Sequence, residues 1–275
     1  MRKMPFRTLA TLGLLSLCSH LGAAEITAEA LPHLPEFWPS HLKLKEQTTV
    51  EVEGRERTIL PLINGVVVRV SEQGVLADFG SSGRHLFPLE ATDILTRAEA
   101  IQADPKLKPT PLLQTQIGDK FWRWNGENMQ RLGGHYFEHK DYFVFLYAEP
   151  QEATSVKAVA KLSQAYDEIV RQSPEAEVVL LSANREVQPF FDQDAPEFPV
   201  MVWHMSKGYI YALAHPLDQR PAVVVTDANN RILYPTEGTA DFPEVADWAG
   251  WIHDLIERDQ AQLAADPVRA PYLQQ

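Results

Sequence analysis

Tyr142-Phe143-Val144-Phe145-Leu146-Tyr147-Ala148-Glu149-Pro150-Gln151-Glu152-Ala153-Thr154-Ser155-Val156 is the stretch on which the fold turns. Its first six residues are continuously apolar, the pattern of a short strand buried on both faces. Val159, Leu162, Tyr166 and Ile169 then recur at helical spacing, and Glu177-Val178-Val179-Leu180-Leu181 is a second buried strand. A strand, helix, strand order predicts a parallel pair joined by a right-handed crossover. Further along, Ala222 to Val225 reads as a third strand, Asn229-Asn230 as a tight turn and Arg231 to Tyr234 as a fourth strand. Val245, Trp248, Ile252 and Leu255 mark a closing amphipathic helix. This half of the chain is therefore expected to be an α/β domain.

The same residues resemble the thioredoxin-like superfamily, and within it the nucleoredoxin and tryparedoxin branch. That branch carries Phe-Ser-Ala-x-Trp-Cys-x-x-Cys-Arg where this chain has Tyr147 to Val156, and Leu162 falls on the leucine of its next helix. Val179-Leu180-Leu181-Ser182-Ala183-Asn184-Arg185 is similar to the branch's Val-x-Phe-Val-Ser-x-Asp-Arg strand end, with Asn184 in place of Asp. Phe198-Pro199 is similar to its Met-Pro-Trp segment, and Arg220-Pro221 stands where the family has its cis-proline.

The resemblance places the redox pair on Glu152 and Ser155 and the preceding tryptophan on Gln151. Dithiol exchange needs a thiolate made acidic at a helix N-terminus and a second sulfur to resolve the mixed disulfide. Neither position supplies one. A serine hydroxyl is a poor nucleophile without a base, and no histidine lies near Ser155 in sequence. The expected function is that of a redox-inactive binding or scaffold module with no catalytic residues, no metal and no cofactor. Two readings of the loop stay open. In one it is structural: Thr154 or Ser155 caps the helix, and Glu152 gains roughly 0.3–1 kcal/mol from the helix dipole. In the other, Gln151, Glu152, Ala153, Thr154 and Ser155, with Arg220 and Pro221, form a groove for an extended peptide.

Upstream, short apolar stretches alternate with turn signals. Thr49 to Glu53 has period two, Gly54 breaks it, and Thr58 to Ile63 resumes it. Asn64-Gly65 then predicts a hairpin, and Val66 to Val70, Val75 to Phe79 and His85 to Leu89 follow as strands. Five short strands suggest a small all-β barrel, and the stretch resembles an SH3-like module of exported bacterial proteins. Ala91 to Ala103 is expected to be helical, with Thr96 and Glu99 as a capping box, followed by a Pro105, Pro109, Pro111 linker. Phe121 to Trp124 and Asn125-Gly126 read as another hairpin.

The start of the chain reads as a secretory signal. Arg2, Lys3 and Arg7 precede an apolar run from Leu9 to Leu17, and Gly22-Ala23-Ala24 offers a cleavage site after Ala24. No later stretch reaches the ~20 apolar residues of a membrane helix, so no transmembrane segment is expected after cleavage and the location is periplasmic or secreted. Cys18, the single cysteine, lies in the leader, where Leu17 argues against a lipid anchor. The expected organisation is a signal peptide over 1–24, an SH3-like barrel over 37–90, a helix and linker over 91–115, a thioredoxin-like domain over 116–260 and a loose tail over 261–275.

The 275 residues carry 25 Lys and Arg against 37 Asp and Glu, a net charge of −12. Nucleic acid is thereby excluded as an expected partner; an envelope or secreted protein or peptide is expected instead. The competing readings are enzymatic: a thiol-disulfide oxidoreductase of the same superfamily, or a zinc hydrolase built on the H-x-x-E-H pattern of His135, Glu138 and His139. Zinc chemistry needs both histidines on one helical face, and Gly133-Gly134 before the motif and a strand from Tyr142 leave little room for a helix.

Overall fold

The computed structural model describes residues 24–107, 110–184, 187, 190–191, 196–201, 219–236, 238 and 240–273. The leader and Cys18, and Arg185 of the second family-like segment, lie outside the described residues.

The C-terminal half is organised around a seven-stranded mixed sheet. Its strands are β7 (Trp122–Trp124), β8 (Met129–Arg131), β9 (Tyr142–Ala148), β10 (Ala176–Ser182), β11 (Val200–Met201), β12 (Ala222–Asp227) and β13 (Ile232–Tyr234). They run in the order β13-β12-β9-β10-β11-β7-β8. β9 and β10 are parallel from Tyr142↔Ala176 to Ala148↔Ser182, β11 continues parallel to β10, and β12 returns antiparallel on β9. All seven residues of β9 and of β10 are buried, which is why β9 and the Val178 to Leu181 part of β10 read as continuous apolar runs. Val144 and Leu146 face a core shared with two helices, α3 (Ala153–Gln172) and α4 (Trp248–Ala265). Phe143, Phe145 and Tyr147 face the other way, against Leu113 and Ile117 of helix α2 (Leu112–Ile117) and Phe121 and Phe137. A mixed sheet with helices on its faces is the arrangement the thioredoxin-like resemblance implies, and the Arg220-Pro221 bond is cis.

The N-terminal unit is a four-stranded antiparallel sheet in the order β1-β4-β5-β6, made of His41–Leu42, Gly65–Ser71, Gly74–Asp78 and Arg84–Phe87. A separate ribbon pairs β2 (Thr48–Val52) with β3 (Arg55–Ile59). The strands do not close into a barrel, because β2 and β3 pair only with each other and the edges β1 and β6 stay apart. The hairpin expected at Asn64-Gly65 is also not formed: β4 pairs with β1 and β5 rather than β3. Gly65 serves close packing instead, since a Cβ there would sit 2.6 Å from the Phe79 ring. The two-residue turn lies at Glu53-Gly54, both at positive φ (51° and 75°), which is the requirement of a primed hairpin turn. Helix α1 spans Ile94–Ala103 with Asp93 at its N-cap position, so Thr96 is inside the helix and caps nothing.

The two units share contacts. Val68 and Leu76 pack into the core on the α2 face of the large sheet. Asn230, in the β12–β13 turn, donates to the Val68 carbonyl at 2.7 Å, and Gln116 donates to the Val67 carbonyl at 2.9 Å. After α4 the chain returns to the N-terminal unit: Asp266 meets His33 at 2.8 Å and Arg269 meets Glu36 at 3.0 Å.

Candidate functional site

The loop that resembles the redox motif sits where three chain segments meet: the end of β9, the end of β10 and the start of β12. Helix α3 begins at Ala153 with Glu152 as its N-cap residue, and the Glu152 side chain caps no backbone N–H. The expected cap at Thr154 or Ser155 is therefore misplaced, because both residues already lie in the first turn. Ser155 does something different. Its fully buried Oγ accepts a hydrogen bond from the Glu149 N–H at 3.1 Å and donates to Glu152 at 3.3 Å. The hydroxyl thus holds the loop shut from inside.

Gln151, Glu152, Ala153 and Thr154 are exposed, whereas Ser155 is not. The residue that ties the site together is Glu149, which gives no signal in the sequence. Its carboxylate accepts from Arg220 at 3.0 Å and from Asn184 Nδ2 at 3.4 Å. The Arg220 guanidinium lies 5.2 Å from the centre of the buried Tyr147 ring, in cation–π range. Glu149 therefore joins the α3 turn, the β10 end and the residue before the cis peptide. Arg220 was expected as a groove residue; here its side chain is half committed to Glu149 and remains 39% exposed. Ser182 Oγ accepts from the Asn184 N–H at 3.3 Å and donates to the Asn184 carbonyl at 2.8 Å, fixing the β10 end.

Chemically this arrangement offers one exposed carboxylate, one partly exposed guanidinium and the exposed first turn of a helix. It offers no sulfur, since the only cysteine is Cys18. The alternative at His135, Glu138 and His139 falls in a run of turns, where the His135 ring contacts Glu138 and is 89% exposed. The two histidines share no helical face, and among the described residues no three His, Cys, Asp or Glu side chains are grouped to hold a metal. The zinc reading gains no support from this geometry.

Two buried charged groups lie away from the loop. Asp227, Arg231 and Asp259 form a chain with contacts of 2.9 and 2.7 Å, and Tyr142 donates to Asp259 at 3.2 Å. Glu177, at the start of β10, is 1% exposed and accepts from Tyr166 at 2.7 Å, with Lys140 at 3.9 Å. Burial raises the Glu177 carboxyl above the ordinary carboxylate range, and its hydrogen bond from Tyr166 and the Lys140 charge only partly oppose this.

No protein-family model matches the sequence, and no curated protein matches it. Solved structures do. The thioredoxin domain of a thiol-disulfide oxidoreductase from Bacteroides vulgatus is 12% identical and covers 50% of this chain and 91% of its own, with a TM-score of 0.36. Tryparedoxin I from Crithidia fasciculata is 17% identical over 44% of this chain and 83% of its own, at a TM-score of 0.34. A thioredoxin from Wuchereria bancrofti is 12% identical over 55% of this chain and 98% of its own, at 0.37. The similar structures are thioredoxin-like domains. Among the described residues no helix is long and apolar enough to cross a membrane.

Proposed function

We propose that this chain is an exported, redox-inactive thioredoxin-like binding module, whose contact surface is Gln151 to Thr154 with Arg220 and Pro221. The observation that carries the reading is the state of the two redox positions. Glu152 is exposed and Ser155 is sealed beneath it as a structural hydrogen-bond partner of Glu149. A buried hydroxyl already committed to a backbone N–H and a carboxylate is a poor nucleophile, and exchange with a disulfide requires a thiolate. What the surface retains is shape: an exposed helix start beside Pro221 and a partly exposed guanidinium. Such a surface suits an extended segment of an envelope or secreted protein. The N-terminal unit braces the large sheet from the face opposite α3, through Val68 and Leu76.

A photo-reactive residue in place of Ala153 tests this in an envelope extract. The expected result is a discrete cross-linked polypeptide that disappears when Thr154→Trp is added. Cross-linking that is indifferent to Thr154→Trp, or no cross-link above background, rejects the surface.

A further inference from the structure

A cleft with no role so far lies away from that loop. It measures about 810 Å³ and opens between the N-terminal unit and the C-terminal segment, walled by residues 27–30, 32–33, 72–74, 88–90, 267–268 and 271–272. That volume lies within the range of ligand sites. Leu89, Val268 and Tyr272 give it an apolar side. Glu29, Glu72 and Glu90, contributed by three separate segments, line it as well, and all three are exposed. None of the three carboxylates has an ion-pair partner among the described residues, while the nearby Arg269 and His33 side chains are already engaged. Arg269 is held by Glu36 and by the His33 carbonyl at 3.1 Å, and His33 by Asp266.

We infer that this cleft binds a basic, extended segment of another polypeptide, through Lys or Arg side chains set over Glu29, Glu72 and Glu90. Long cationic side chains fit both halves of the wall: their aliphatic stems lie on Val268 and Tyr272 while their charged heads reach the carboxylates. The excess of negative charge on the whole chain favours the approach of such a segment. Carboxylates spread over three wall segments favour a ligand with several spaced cations over one with a single charge.

Fluorescence anisotropy with a labelled peptide alternating Lys and Leu tests the assignment on the full chain. Saturable binding is expected, weakened about ten-fold by Glu72→Gln with Glu90→Gln, as two partly exposed ion pairs would give. The control pair Glu56→Gln with Glu127→Gln removes the same charge at exposed positions outside the cleft and is expected to leave affinity unchanged. Glu72→Lys with Glu90→Lys is expected to transfer binding to a peptide alternating Glu and Leu. Equal weakening by both neutralised pairs means adventitious attraction to an acidic protein and overturns the proposal. So does the absence of saturable binding, or equal affinity for a free polyamine.

Discussion

Replacing Ser155 with alanine separates a structural role at the former redox position from a chemical one. The hydroxyl is fully buried and is the acceptor for the Glu149 N–H at 3.1 Å. Its loss leaves that N–H without a partner inside the turn, at a cost of about 1–3 kcal/mol. Alanine returns up to about 0.5 kcal/mol through its better helix propensity in the first turn of α3, and the freed Glu152 carboxylate is exposed to water, so it adds nothing. The net expectation is about 1–2 kcal/mol of destabilisation, or roughly 2–8 °C in melting temperature for a chain of this size. Denaturant unfolding of Ser155→Ala beside Glu152→Gln measures it. Glu152→Gln, at an exposed position, is expected to change stability by less than about 0.5 kcal/mol. An unchanged midpoint for Ser155→Ala refutes the reasoning, because a serine held for chemistry rather than structure is the case in which its removal leaves stability intact.

Arg231→Met leaves Asp227 and Asp259 buried without their shared cation; a loss of about 3–5 kcal/mol is expected in urea unfolding, and a loss below ~1 kcal/mol would show that water reaches the site. Glu177 has its carboxyl raised by burial, so the folded state binds more protons than the unfolded one between the ordinary carboxylate value and the raised one. The stability it contributes is complete below the ordinary carboxylate value and falls as pH rises through the raised value. Glu177→Gln is therefore expected to gain stability relative to the parent as pH increases across that window, by paired melts at stepped pH; a constant difference rejects the burial argument.

The core of the α/β half was legible because β9 and β10 are buried on both faces and α3 keeps Val159, Leu162, Tyr166 and Ile169 on one stripe. Such patterns are written into consecutive residues. The N-terminal pairing was not legible in the same way. Asn64-Gly65 is the more familiar hairpin dipeptide, but the short β1 pairs with β4, and the turn formed at Glu53-Gly54 instead. β11, two residues long, leaves no period to detect. Glu149 was missed as the centre of the site because its side-chain partners, Asn184 and Arg220, are 35 and 71 positions away. The anchoring of the C-terminal segment by His33 and Glu36 spans 233 positions, and no local rule reports it.

The most direct test of the central claim is reduction of insulin by a small-molecule dithiol, followed with the parent chain, with Cys18→Ala and with Glu152→Cys/Ser155→Cys. The account predicts that the parent and Cys18→Ala leave the rate unchanged. It also predicts that the double cysteine variant accelerates it, since position 152 is exposed for attack at the start of a 20-residue helix and position 155 lies beneath it to resolve. Acceleration by Cys18→Ala, which has no sulfur nucleophile, would contradict the account outright.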